Sequence, residues 1–200
     1  MTKFYICRHG QTENNKHERL SGWIDTPLTD QGVQNTASSA GKLKGITFDK
    51  IVSSDLGRAF ISAYLISRKI GYFDEIERQA NLREVNYGDL GNSPFTGANI
   101  AYPLLTPEEN TDYIPPNGES LAQMQSRVMQ CIEMISQESH AKTILLVAHD
   151  GTINAVYASS TNQPIGLVDS NSHNGNDFVA EFVYEAGKVT SFKEILTEKL

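Results

Sequence analysis

Phe4-Tyr5-Ile6-Cys7-Arg8-His9-Gly10-Gln11-Thr12 runs an apolar, β-type segment straight into a cation, an imidazole and a glycine. A strand that ends this way presents Arg8 and His9 at a turn where the backbone can come close to a ligand, a setting suited to holding a phosphate and attacking it. Taken alone, Arg-His-Gly is equally the composition of a solvated turn. The segments that follow decide between the two.

Downstream of this stretch, Asp30 to Leu43 has helical composition, with Thr29 or Asp30 available as a cap and Gly45 near its end. Phe48 to Val52 is a second β-type run, and Asp55 to Lys69 repeats apolar residues at Leu56, Phe60, Ala63, Tyr64 and Ile66 in a helical pattern. A long helix is predicted after Ser120, with Leu121, Met124, Val128, Cys131, Ile132 and Ile135 on one face. Thr143 to Ala148 is continuously apolar, as a strand covered on both faces requires, and a helix is predicted from Thr152. Phe178 to Tyr184 and Val189 to Ile195 flank Glu185-Ala186-Gly187-Lys188, a hairpin signal. Strands alternating with helices, closed by a hairpin, predict a layered α/β fold with some antiparallel edge.

Two hundred residues, 39% of them hydrophobic, suit a single domain spanning 1–200. The stretch 92–118 stands out from the rest. It holds five of the seven prolines and reads as an irregular insertion covering the site. A net charge of −7 disfavours a nucleic-acid surface, which needs clustered Lys and Arg in excess. Cys7 and Cys131 form no Cys-x-x-Cys pair, so neither a metal knuckle nor a disulfide framework is expected, and both read as buried thiols of a reducing compartment. The apolar start is short for a signal peptide and no run is long enough to cross a bilayer, so a cytoplasmic protein without membrane partners is expected. Monomer and homodimer both stay open.

Polar groups gather in separate segments where a predicted strand gives way to a turn or helix: Arg8-His9-Gly10 with Asn15; Ser53-Ser54-Asp55-Leu56-Gly57-Arg58; Leu82-Arg83-Glu84; and Val147-Ala148-His149-Asp150-Gly151. In an open α/β sheet the carboxyl ends of the strands border the ligand crevice, so these segments can meet there. A neutral His9 has a lone pair for in-line attack on phosphorus. Arg8 and Arg58 can neutralise and orient a phosphate dianion and hold His9 unprotonated. His149 and Asn15 add hydrogen-bond donors, and Glu84 can exchange a proton with the leaving group and then with water. Lys16, His17 and Arg19 form a basic loop that can reach a second anionic group, and Tyr87 and Phe95 are candidate pocket walls. Trp23 reads as a packing residue.

In their order and approximate spacing these segments resemble the histidine phosphatase superfamily, the phosphoglycerate mutase-like family. Arg8-His9-Gly10-Gln11-Thr12 with Asn15 is similar to its opening motif, Gly22-Trp23-Ile24-Asp25-Thr26-Pro27-Leu28-Thr29 to its next loop, and Gly118-Glu119-Ser120 to its Gly-Glu-Ser helix start. The resemblance implies a three-layer α/β/α sandwich with a mostly parallel sheet, double displacement through a phosphohistidine, and no metal or other cofactor. The chain departs from the pattern at His149-Asp150-Gly151, where much of this branch has His-Gly. The pair is similar to the His-Asp of the acid phosphatase branch, which makes Asp150 a rival to Glu84 as proton donor and a neighbour of the phosphate. The chain also lacks the Glu-Arg-His-Tyr-Gly run of the mutases, and 92–120 contains no Lys or Arg. Hydrolysis of small phosphomonoesters is therefore expected ahead of phosphoglycerate mutase activity. A phospho-ligand binding module without turnover is the third reading.

Overall fold

In the computed structural model, which describes residues 1–94, 107–138, 142–168 and 175–196, the opening stretch becomes β1 (Thr2–Arg8) and lies inside the sheet rather than at its edge. The other strands are β2 (Lys50–Ser54), β3 (Ile76–Gln79), β4 (Thr143–Ala148), β5 (Val179–Glu185) and β6 (Lys188–Glu194), in the spatial order β3-β2-β4-β1-β5-β6. β3, β2, β4 and β1 run parallel, whereas β5 and β6 are antiparallel to their neighbours. In register, Cys7 faces Val147 of β4 on one side and Val179 of β5 on the other.

Helices cover both faces of the sheet, as its strand sequences demand. Phe4 and Ile6 of β1 and Ile144, Leu146 and Ala148 of β4 pack on one side with Met124, Val128, Ile132 and Ile153. Tyr5 and Cys7, with Leu145 and Val147, pack on the other with Ala40, Leu43, Ala63 and Ile66. A strand with period-two side chains buried on both faces must be apolar throughout, which is why β1 and β4 read as unbroken hydrophobic runs. Burying each such aliphatic or aromatic side chain contributes about 1.5–3 kcal/mol. The expected three-layer arrangement is thus observed.

The helices start and stop where the chemistry of their ends directs. α1 (Glu13–Lys16) is a single turn closed by Thr12 and Asn15. α2 (Asp30–Lys42) is capped by Thr29, whose Oγ1 accepts from Gly32 N at 3.0 Å. α3 (Gly57–Ile70) ends at Gly71 in the left-handed conformation, φ +81°. α4 (Pro107–Asp112) lies within the proline-rich stretch, and residues 95–106 of that stretch, including Phe95, lie outside the described residues. α5 (Leu121–Glu138) begins in a reciprocal cap between Ser120 and Gln123 and buries the expected stripe of Met124, Val128, Cys131, Ile132 and Ile135. α6 (Asp150–Thr161) starts two residues earlier than the predicted Thr152, with His149 at its N-cap. The β5–β6 turn is the two residues Ala186-Gly187, both at positive φ (50° and 79°). Among the described residues no helix is long and apolar enough to cross a membrane.

The strand order has a direct consequence for the polar segments. β1, β4 and β2 are adjacent and parallel, so their carboxyl ends release Arg8-His9, His149-Asp150 and Ser54-Asp55 on the same edge of the sheet. Glu84 arrives at that edge from β3, through the 3₁₀ turn Ala80–Leu82.

Candidate active site

His9 follows β1 and is still tied to the sheet, its N–H donating to Ala148 O at 3.0 Å. Its turn is clamped from the helix layer: Gly10 N donates to Ser62 Oγ of α3 at 3.0 Å, and a Cβ on Gly10 would collide with the backbone oxygen of Gly32 in α2. Only glycine permits that approach. His9 is 3% exposed, and its Nδ1 lies 2.7 Å from Gly10 O. A carbonyl can only accept, so Nδ1 carries the proton and Nε2 keeps its lone pair. Arg58 Nε donates to that Nε2 at 3.3 Å. Burial, then the charges of Arg58 and Arg8, hold the His9 pKa well below its ordinary value, so the imidazole is neutral.

Arg58 sits in the first turn of α3 and is 2% exposed. The loop after α1 holds its fork: Nη1 donates to Ile24 O at 2.9 Å and Nη2 to Gly22 O at 2.7 Å, with Asp25 Oδ1 3.3 Å from Nη1. Asp25 does a second job. Its carboxylate accepts from Gly57 N and from Arg58 N, the latter at 3.2 Å, and so caps a helix whose own N-cap residue, Leu56, offers no side-chain bond. One loop therefore fixes both the helix and the guanidinium.

His149 is fully buried and its ring centroid lies 5.1 Å from that of His9. Its Nε2 is 2.9 Å from Ser54 Oγ, while its Nδ1 is buried with no hydrogen-bond partner. Burial is the main cause that pushes its pKa well down, followed by Arg58, His9 and Arg8. Asp150 opens α6 with Oδ1 3.8 Å from Arg8 Nη1, at ion-pair rather than hydrogen-bond range. Burial raises its pKa to about 6, against the opposing pull of Arg8 and with the help of Glu84.

Glu84 places Oε2 3.3 Å from Gly151 N at the start of α6, and Oε1 accepts from Val85 N at 2.9 Å. The backbone around it is braced. Glu84 O accepts from Trp23 Nε1 at 2.9 Å and from Arg127 Nη2 at 2.8 Å. Arg127 also donates to Asn81 O and Arg83 O and pairs with Glu119. Arg83 itself pairs with Asp55, not with Glu84, and its guanidinium lies 4.8 Å from the Trp23 ring centre. Trp23 is thus a hydrogen-bonding link between the Arg58 loop and the Glu84 segment, where the sequence suggested packing alone. Asn15 Oδ1 accepts from Thr12 N and Oγ1, which commits the oxygen to the turn and leaves the amide nitrogen as the end able to donate. Asn176 Nδ2, 3.1 Å from His9 O and 3.5 Å from Asn15 Oδ1, joins Asn15 to the backbone of His9.

Arg8, His9, Asn15, Arg58, Glu84, His149 and Asp150 are therefore linked at one edge of the sheet. The basic loop is not drawn in to the same degree: His17 pairs with Glu13 at the surface and Arg19 Nη1 donates to Asn92 O. Tyr87 packs against the core cluster of α5 and α6. Asp25, Ser54, Ser62, Arg127 and Asn176 were not singled out in the sequence as site residues. Asp25 and Ser54 lie inside the Gly22–Thr29 and Ser53–Arg58 segments, which carry a signal. The others act through contacts between distant segments. A groove of about 640 Å³ between α5, α6 and the β5–β6 turn, lined by Gln125, Met129 and Tyr184 among others, shares no residue with this cluster. Among the described residues no group of three or more His, Cys, Asp or Glu side chains is arranged to hold a metal ion.

The family model for the histidine phosphatase superfamily (branch 1) matches residues 4–193. Phosphoglycerate mutase-like protein 4 of Arabidopsis thaliana is 31% identical over 157 residues, covering 76% of this chain and 68% of that protein. The solved structure of Bacillus stearothermophilus YhfR superposes with a TM-score of 0.82, covering 94% of each chain at 24% identity, a likeness of fold. A phosphoserine phosphatase of Entamoeba histolytica superposes with a TM-score of 0.77 at 26% identity, covering 96% of this chain and 97% of that one.

Proposed function

We propose that this chain, which belongs to the histidine phosphatase superfamily (branch 1), hydrolyses small phosphomonoesters through a phosphohistidine on His9. The observation that carries this reading is the neutral His9 imidazole with Nδ1 tied to Gly10 O and its Nε2 lone pair turned to the Arg58 guanidinium. An unprotonated nitrogen beside a fixed cation is what in-line attack on a phosphate dianion needs. In the first displacement Nε2 forms a bond to phosphorus as the ester oxygen leaves and takes a proton from a carboxyl group. In the second, water attacks the phosphohistidine and returns that proton. Arg8, Arg58, His149 and the Asn15 amide hold the phosphoryl oxygens meanwhile.

Glu84 is the first choice for the proton, at the mouth of α6 and close enough to Arg58 to act on its charge. Asp150 is the second reading, favoured by its raised pKa of about 6 and by an Oδ1 that is buried without a hydrogen bond. Transfer to a phosphoglycerate instead of water is the alternative activity, favoured by the mutase-like relative at 31% identity. A binding module without turnover has no use for a nucleophile and a proton donor together.

The test is a panel of phosphomonoesters, phosphoserine and 3-phosphoglycerate included, assayed for released phosphate with wild type and His9→Ala side by side. Free phosphate and an acid-labile phosphoenzyme are expected from wild type alone, with activity retained in chelator. Conversion of 3-phosphoglycerate to 2-phosphoglycerate without free phosphate would establish the mutase. Phosphate binding with no phosphoenzyme on any substrate would establish the binding module.

A further inference from the structure

We propose that Ser54 is a positioning residue that fixes the tautomer of His149, so that the paired imidazoles meet one phosphoryl group with opposite ends of their chemistry: His9 offers a lone pair and His149 a proton. The identity of the group met at the site rests on the phosphatase reading above. The tautomer itself follows from hydrogen-bond accounting.

Ser54 ends β2 and is 0% exposed. Its Oγ has contacts with Leu56 N, which donates at 3.4 Å, and with His149 Nε2 at 2.9 Å. Two arrangements satisfy the shorter contact. In the first, the Ser54 hydroxyl donates to a bare Nε2 and the ring proton sits on Nδ1. In the second, Nε2–H donates to Oγ, and the hydroxyl proton is left without an acceptor while a bare Nδ1 is left without a donor. His149 Nδ1 is buried with no hydrogen-bond partner in either case. The first arrangement therefore strands one buried group and the second strands two, at about 1–3 kcal/mol for each unsatisfied group. The Nδ1–H tautomer wins.

His9 reaches the same tautomer by the opposite device. There a carbonyl acceptor, Gly10 O, sits on Nδ1; at His149 a hydroxyl donor sits on Nε2. The rings are 5.1 Å apart with planes inclined at 64°. Nδ1–H of His149 is then a neutral donor with no protein partner, completed by a phosphoryl oxygen. The other tautomer would aim a lone pair at those oxygens and repel them.

The experiment uses protein labelled with ¹⁵N-histidine and compares wild type, Ser54→Ala and Ser54→Thr. Two-bond ¹⁵N–¹H correlation spectra without substrate read the tautomer of His149, assigned with a His149→Asn control. Inhibition by inorganic phosphate and turnover of p-nitrophenyl phosphate read the site, and thermal melts confirm folding. Wild type is expected as Nδ1–H. Ser54→Ala is expected to release the Nε2–H form and to weaken both phosphate inhibition and kcat/KM about tenfold, the loss of one well-placed hydrogen bond. Ser54→Thr, which keeps the hydroxyl, should restore all three readouts. An Nε2–H tautomer in wild type, a loss of activity in Ser54→Ala with the tautomer unchanged, or a changed tautomer with phosphate affinity intact would each overturn the proposal. Because the spectra need no turnover, a protein that releases no phosphate from any ester would sink the phosphatase reading and leave the tautomer result standing.

Discussion

At the scale of single residues, the proposed site holds two carboxyl groups, Glu84 and Asp150, in different surroundings. Glu84 accepts backbone N–H bonds on both oxygens, whereas Asp150 keeps Oδ1 buried and without a hydrogen bond. A proton donor matters most when the leaving alkoxide is strongly basic. Replacing the true donor is therefore expected to lower kcat on an alkyl phosphate by about 10²–10⁴-fold while sparing an activated aryl phosphate. Glu84→Gln is expected to show this split and Asp150→Asn only a few-fold loss; kcat for both variants on both ester types checks it, and the reverse pattern gives the role to Asp150. Most of the residues that meet at the site could be read from the chain because each follows an apolar run or opens a helix. Arg127 and Asn176 could not be read so, since what they bind lies 43 and 167 positions away. Periodicity records which face a residue occupies, not which loop folds over it.

At the scale of elements, Asp25 shows how a loop can stand in for a missing cap. Asp25→Ala is expected to destabilise the protein by about 1–2 kcal/mol, as loss of a helix cap does, and also to raise KM, because the same carboxylate steadies Arg58. Chemical denaturation and steady-state kinetics on one preparation separate the two effects. The hairpin gives an opposite case. Ala186 holds φ +50°, a conformation Asn tolerates and Ala resists, so Ala186→Asn is expected to raise stability by about 0.5–1 kcal/mol without touching activity, as thermal melts would register. Long elements such as α2, α5 and β4 were legible because many side chains repeat one message. β3 and α1 were not: β3 has four residues with none fully buried, and α1 is a single turn defined by its cap. The start of α6 fell two residues early because His149 and Asp150 are polar and carry no apolar period.

At the scale of the whole molecule, burying the site sets how stability follows pH. His9 and His149 have folded pKa values well below 6.5, so below that pH the unfolded chain binds protons that the native state refuses. Stability from this pair is then present above pH 6.5 and is lost as pH falls below it, a decline that urea melts at a series of pH values would register. Asp150 acts in the other direction. Its pKa rises from 3.8 to about 6, so the native state holds the extra proton and stability declines as pH climbs between those values. Asp150→Asn is expected to gain up to about 3 kcal/mol at pH 7 and almost nothing at pH 4, measured by urea melts across that range. The layered architecture was legible because alternating strands and helices admit few arrangements. The insertion of β4 between β1 and β2 was not, since no local pattern encodes pairings between segments so distant in the chain, such as Lys3 with Thr143 and Lys50 with Ile144. That pairing also bears on the order in which the site can assemble. His9, the proposed nucleophile, follows β1, yet both strands that flank β1, β4 and β5, come much later in the chain. A polypeptide that has not yet made β4 and β5 carries the imidazole without the strands that fix β1 beneath it, so any competence of His9 has to wait for those later segments.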